Sequence, residues 1–159
     1  MPLIRGDTGK GKPIVRVALI PGNVSSEPVT GFPNENSLQT LECRALLDTG
    51  ADGTSVCASV ARAAGLRYLG KRPVVGIGGQ NYHRTWATRI GFFLDEEGAD
   101  IGNPLSNHGN LFVLEEPVLA VQIPDNSRFE VIIGRDILCK GTFIMRPNGS
   151  FELDLPNDA

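Results

Sequence analysis

The chain holds one short run that narrows its options more than any other, Ala45-Leu46-Leu47-Asp48-Thr49-Gly50-Ala51-Asp52-Gly53-Thr54. An apolar strand ends in a carboxylate, and small residues come directly after it. Apolar surroundings raise the cost of ionising such a group, so its proton becomes available for chemistry. Gly50 and Ala51 keep bulk away from the carboxylate and let another backbone or a ligand come close. The plainer alternative is a turn aspartate that caps the next helix. The apolar Ala-Leu-Leu before Asp48 argues against it, because Asp52 and Thr54 are already available as caps.

The rest of the chain reads as strands and turns. Its 159 residues suit one domain with a real core. Gly 19 and Pro 11 fit strands and turns better than a helical bundle. Residues 1–12 look like a loose, flexible arm, and 13–159 like the domain. Strands are expected at 13–20, 38–47, 85–94, 111–114, 118–123 and 131–133, with long loops at 21–37 and 95–110. Residues 55–64, with Gly65 after them, read as a short helix with a glycine stop. Ile137–Lys140 suggests one further helical turn. Residues 73–82 form a hairpin around a Gly-rich tip, and Asn148-Gly149 turns a second hairpin between 142–145 and 150–155. The class is mainly β, a small closed barrel-like fold with one short helix.

Several function classes fall away. The formal net charge of -3 gives no argument for nucleic acid or an anionic membrane as partner. No apolar run approaches the roughly 20 residues of a membrane helix. Cys43, Cys57 and Cys139 form no CxxC and have no histidines at ligand spacing, so no metal is expected. Gly9-Lys10-Gly11-Lys12 lacks the spacing and the Ser/Thr of a phosphate loop. His83 and His108 have no Ser or Cys in nucleophile context. An odd cysteine count without a signal peptide favours a reducing compartment, and the cytoplasm is the expected location.

Three segments in order, Leu47-Asp48-Thr49-Gly50-Ala51-Asp52, Val75-Gly76-Ile77-Gly78-Gly79 and Val131-Ile132-Ile133-Gly134-Arg135-Asp136, resemble those of retropepsin-like aspartic proteases. The long loops and the final hairpin look closer to cellular or bacterial members than to compact viral ones. The resemblance implies a closed β barrel with a Gly-rich flap and an endopeptidase that needs no cofactor. It carries one Asp-Thr-Gly where the chemistry needs two aspartates, so it implies a homodimer in which two Asp48 carboxylates share a proton. Asp48, Thr49 and Gly50 would be the catalytic segment. Ala51, Asp52, Gly76, Ile77, Gly78 and Gly79 would line and close over a peptide or protein substrate. Arg135 and Asp136 would support the loop, with Arg135 and Asp52 in a buried ion pair. The C-terminal hairpin would contribute to the dimer interface. Two alternatives stay open. One is a non-catalytic dimeric domain of the same fold that binds peptides or assembles a larger protein. The other is a precursor activated by trimming residues 1–12.

Overall fold

The computed structural model describes residues 3–8, 11–21, 40–94 and 111–159. Its strands are β1 (Leu3–Asp7), β2 (Ile14–Pro21), β3 (Leu41–Leu47), β4 (Ser55–Cys57), β5 (Arg67–Gly76), β6 (Gly79–Phe93), β7 (Leu111–Val113), β8 (Val118–Ile123), β9 (Val131–Ile133), β10 (Thr142–Met145) and β11 (Ser150–Asp154). Two short helices, α1 (Ala58–Ala63) and α2 (Arg135–Leu138), interrupt them.

The order β2-β3-β9-β4-β8-β6 closes on itself, because β6 also pairs with β2. The result is a closed six-stranded barrel, so the mainly β barrel class expected from the sequence is the one observed. Closure removes free edges from those strands. β3 shows how pattern becomes placement. Glu42 and Arg44 point outward, Cys43 and Ala45 inward, and Leu46 and Leu47 are both buried as the strand enters the core. Val17, Leu19, Val56, Ile90, Phe92, Ile133 and Ile137 fill the interior. Burying each such side chain contributes about 1.5–3 kcal/mol. A second sheet, β1-β11-β10, adds Ile4, Phe151 and Leu153 to the same core.

Four expectations are corrected. Part of the loose arm at 1–12 is strand β1, whose Leu3–Asp7 pair with Asp154–Ser150. Gly6 fits there because a Cβ would stand 2.3 Å from the Phe151 ring. The helix expected at 55–64 is helical only over Ala58–Ala63. Ser55–Cys57 pair instead with β8 and β9, which buries Val56 and Cys57 in the barrel wall; tertiary pairing outweighs the local helical pattern there. Cys57 offers α1 no side-chain cap, and Asp125 supplies one, accepting the Ser59 N–H at 3.1 Å and hydroxyl at 2.8 Å. The turn expected at Ile137–Lys140 starts earlier, as α2 from Arg135. The strand expected at 85–94 is the far half of a longer one that begins at Gly79. The two expected long loops, apart from Pro21, lie outside the described residues.

Both expected hairpins are present. β5 and β6 meet at Gly76 and Gly79 around the turn Ile77-Gly78, and Gly79 adopts φ 103°, which favours glycine. β10 and β11 flank Asn148-Gly149. The Asn148 side chain accepts the Ser150 N–H at 3.0 Å and its hydroxyl at 2.7 Å.

Candidate active site

β3 and β9 run parallel, with Leu47 opposite Ile133. The residues just past their ends, Asp48 and Gly134, are therefore delivered to one end of the barrel. The Asp48 N–H donates to the Ile133 carbonyl at 2.9 Å, the last tie before the chain turns. The Gly50 N–H then donates to Asp48 Oδ1 at 2.8 Å and the Ala51 N–H to the Asp48 carbonyl at 3.2 Å. One carboxylate oxygen is thus fixed by the turn directly after it. Asp48 is half-buried, while Thr49 and Gly50 are exposed.

The second strand-to-helix corner grips this loop. The Arg135 N–H donates to the Ala51 carbonyl at 2.8 Å and the Asp136 N–H to the Asp52 carbonyl at 3.1 Å. Gly134 permits the approach: a Cβ there would lie 2.4 Å from the Gly53 carbonyl oxygen and 2.9 Å from that of Ala51. Thr54, 1% exposed, donates its N–H to Asp136 Oδ2 at 3.0 Å and its hydroxyl to Oδ1 at 2.9 Å. Charge-assisted bonds of this kind are stronger than neutral ones.

The structure thus brings Asp48, Thr49, Gly50, Ala51 and Asp52 together with Arg135 and Asp136. Arg135 does pair with Asp52, as expected. The pair is not buried, however: the side chains are 52% and 89% exposed. Gly134 keeps the two backbones close, which leaves the longer side chains to meet outside in solvent. Gly76, Ile77, Gly78 and Gly79 stand apart, and the described hydrogen bonds join none of them to residues 48–52. Only the root of their hairpin adjoins the loop. Thr85 pairs with Val121, whose N–H donates to the Thr54 carbonyl at 3.1 Å.

Sequence reasoning missed Thr54 and Gly134. Thr54 passed for a helix cap, and its true partner lies 82 positions away. The local signal was only a Thr shortly after Asp48 and an Asp shortly after Gly134.

Burial pushes the Cys43 thiol up to about 12, with nearby Glu130 adding to the effect, and burial also raises Cys57. Thiols held protonated in this way are poor nucleophiles. Among the described residues, no three His, Cys, Asp or Glu side chains are placed to hold a metal ion. No helix among them is long and apolar enough to cross a membrane.

No family model matches the chain, and no curated protein matches it. Among solved structures it is similar to a retropepsin-like aspartic protease from Rickettsia conorii, at 14% identity and a TM-score of 0.43, over 91% of this chain and 94% of that one. At that level the likeness says nothing about the chemistry of the Asp48 loop.

Proposed function

We propose that this chain is an aspartic endopeptidase whose active form is a homodimer, with one Asp48 from each copy at the reacting centre. One observation carries the proposal. Asp48 is a half-exposed carboxylate held by the turn after it, whereas Asp136 accepts both Thr54 donors and Asp52 meets Arg135 out in solvent. The proposed chemistry uses two such carboxylates and the chain carries one Asp-Thr-Gly, so this reading takes the second from another copy.

The chemistry rests on two such groups sharing a proton. One carboxylate removes a proton from a bound water, which attacks the peptide carbonyl. The other donates its proton to the carbonyl oxygen. Gly50 matters because a Cβ there would lie 3.1 Å from Asp48 Oδ1. The carbonyls of Ala51 and Asp52 each already accept one N–H from the start of α2, and these two residues would line the substrate cleft beside Asp48. Thr49 would hold the two loops against each other across the dimer. The tip at Gly76–Gly79, with Val75 and Ile77 largely open to solvent, would close over bound peptide and exclude water.

The test is digestion of a diverse peptide library by the wild type and by Asp48→Asn in parallel. The expected result is cleavage by the wild type alone, with unchanged folding of the variant, since Asn matches Asp in shape but cannot carry the shared proton. Equal cleavage by both would remove Asp48 from the chemistry. Peptide binding without cleavage by either would favour the non-catalytic peptide-binding domain.

A further inference from the structure

Between Asp52 and Asp95 the chain contains no acidic residue, yet it carries Arg62, Arg67, Lys71, Arg72, Arg84 and Arg89, in a protein of net charge -3. The fold gathers much of this charge onto one object. From Lys71 to Gly76 and from Gly79 to Arg84, β5 and β6 pair only with each other and form a two-stranded ribbon. Each arm is about 20 Å long at about 3.3 Å per residue. A register shift between Tyr68 and Lys71, with Gly70 at φ 94°, sets Lys71 directly opposite Arg84 and Arg72 opposite His83. Like charges facing each other across a ladder are destabilising. None of Arg67, Lys71, Arg72 or Arg84 has a carboxylate partner among the described residues. The Arg84 guanidinium lies over the Tyr68 ring, 5.6 Å from its centroid. The alternation of side chains along a strand puts Pro73 and exposed Tyr82 on the face of Lys71 and Arg84.

We propose that this ribbon binds an acidic stretch of the peptide substrate, and so selects substrates carrying Asp or Glu near the bond presented to Asp48. The inference rests on the peptidase reading of the Asp48 loop and assigns that site its substrate class. The root of the ribbon adjoins Thr54, so a chain lying along the ribbon leads toward that loop. A bound carboxylate between Lys71 and Arg84 would relieve their repulsion. A nucleic acid fits less well. Every acidic residue of the protein lies outside the 53–94 segment, so a long polyanion would run off the ribbon onto surface of its own sign, whereas a short acidic segment matches the patch.

Binding can be read without cleavage in the Asp48→Asn protein, by anisotropy of a labelled Glu/Ser peptide, its Gln/Ser analogue and labelled oligothymidylate, and by co-sedimentation with phosphatidylserine vesicles. The acidic peptide should bind about fourfold tighter than the Gln analogue, the two exposed ion pairs on the Lys71–Arg84 face each contributing a factor of about two, and the preference should fade with salt. Adding Lys71→Glu should abolish the preference without lowering the melting temperature, since the new carboxylate would face Arg84. Equal binding of the two peptides, a preference that survives Lys71→Glu, or tighter binding of oligothymidylate or vesicles would each overturn the proposal. Wild-type cleavage of acidic and neutral peptides at equal rates would overturn it and leave the peptidase reading intact. Selective acidic binding in a protein that cleaves nothing would overturn the peptidase reading and keep the ribbon's selectivity.

Discussion

Thr54 and Arg135 both reach across to their partners from opposite sides of the site, and their environments assign them very different weights. Thr54 is buried, and both of its donors end on Asp136. Thr54→Val keeps the shape and removes the hydroxyl, so a part-buried, charge-assisted bond to Asp136 is lost. We expect a loss of about 1–2 kcal/mol in urea unfolding. A wild-type midpoint would show that the Thr54–Asp136 bond does not hold the loop. Arg135→Ala should cost only about 0–1 kcal/mol, because its pair with Asp52 stands in solvent and is screened. Had that pair been buried, as the resemblance implied, the loss would be about 3–5 kcal/mol. Asp48 was legible because its signal is local: an apolar strand, a carboxylate and a glycine turn in consecutive positions. The Thr54–Asp136 bond was not, because neither residue's neighbours point to the other.

At the scale of elements, β1 and the start of β9 each carry a consequence. β1 covers the edge of β11 and buries Ile4 to 2% exposure. Deleting residues 1–8 should therefore cost at least about 2 kcal/mol from lost apolar burial alone. Thermal melts and peptide digestion of the truncated chain should show lower stability and no gain in rate. A truncated chain that melts like wild type and cleaves faster would restore the trimmed-precursor alternative. Glu130, just before β9, accepts the Arg44 N–H at 2.7 Å and its guanidinium at 2.9 Å. The Arg44 side-chain bond, partly opposed by burial, holds the Glu130 carboxyl below its ordinary value of 4.5. A carboxylate lowered on folding stabilises the fold above that ordinary value and loses its contribution as pH falls through the lowered one. Glu130→Gln should thus lower the melting temperature near neutral pH and flatten its decline below pH 4.5. Parallel melting curves for the two proteins across that range would contradict the linkage. The hairpins were readable because glycine turns are set by backbone preferences of adjacent residues. β4 was misread because its helical periodicity is local while its pairing with β8 and β9 is not.

For the whole molecule, the proposed chemistry uses two aspartates where the chain carries one Asp-Thr-Gly, so the proposal makes activity depend on a second copy. Sedimentation and peptidase assays across a dilution series should show activity per chain falling together with the dimer. A monomer keeping full specific activity at high dilution would refute it. The strand periodicities, the hairpin turns and the Asp-Thr-Gly run were determined by the sequence alone, since each depends on residues within a few positions of one another. Only the tertiary structure decided that β3 and β9 lie parallel, that α2 grips the Asp48 loop and that Leu3–Asp7 is a strand. Those outcomes depend on contacts between segments far apart in the chain. Barrel closure and burial select such contacts, and no local pattern records which distant partner will be chosen.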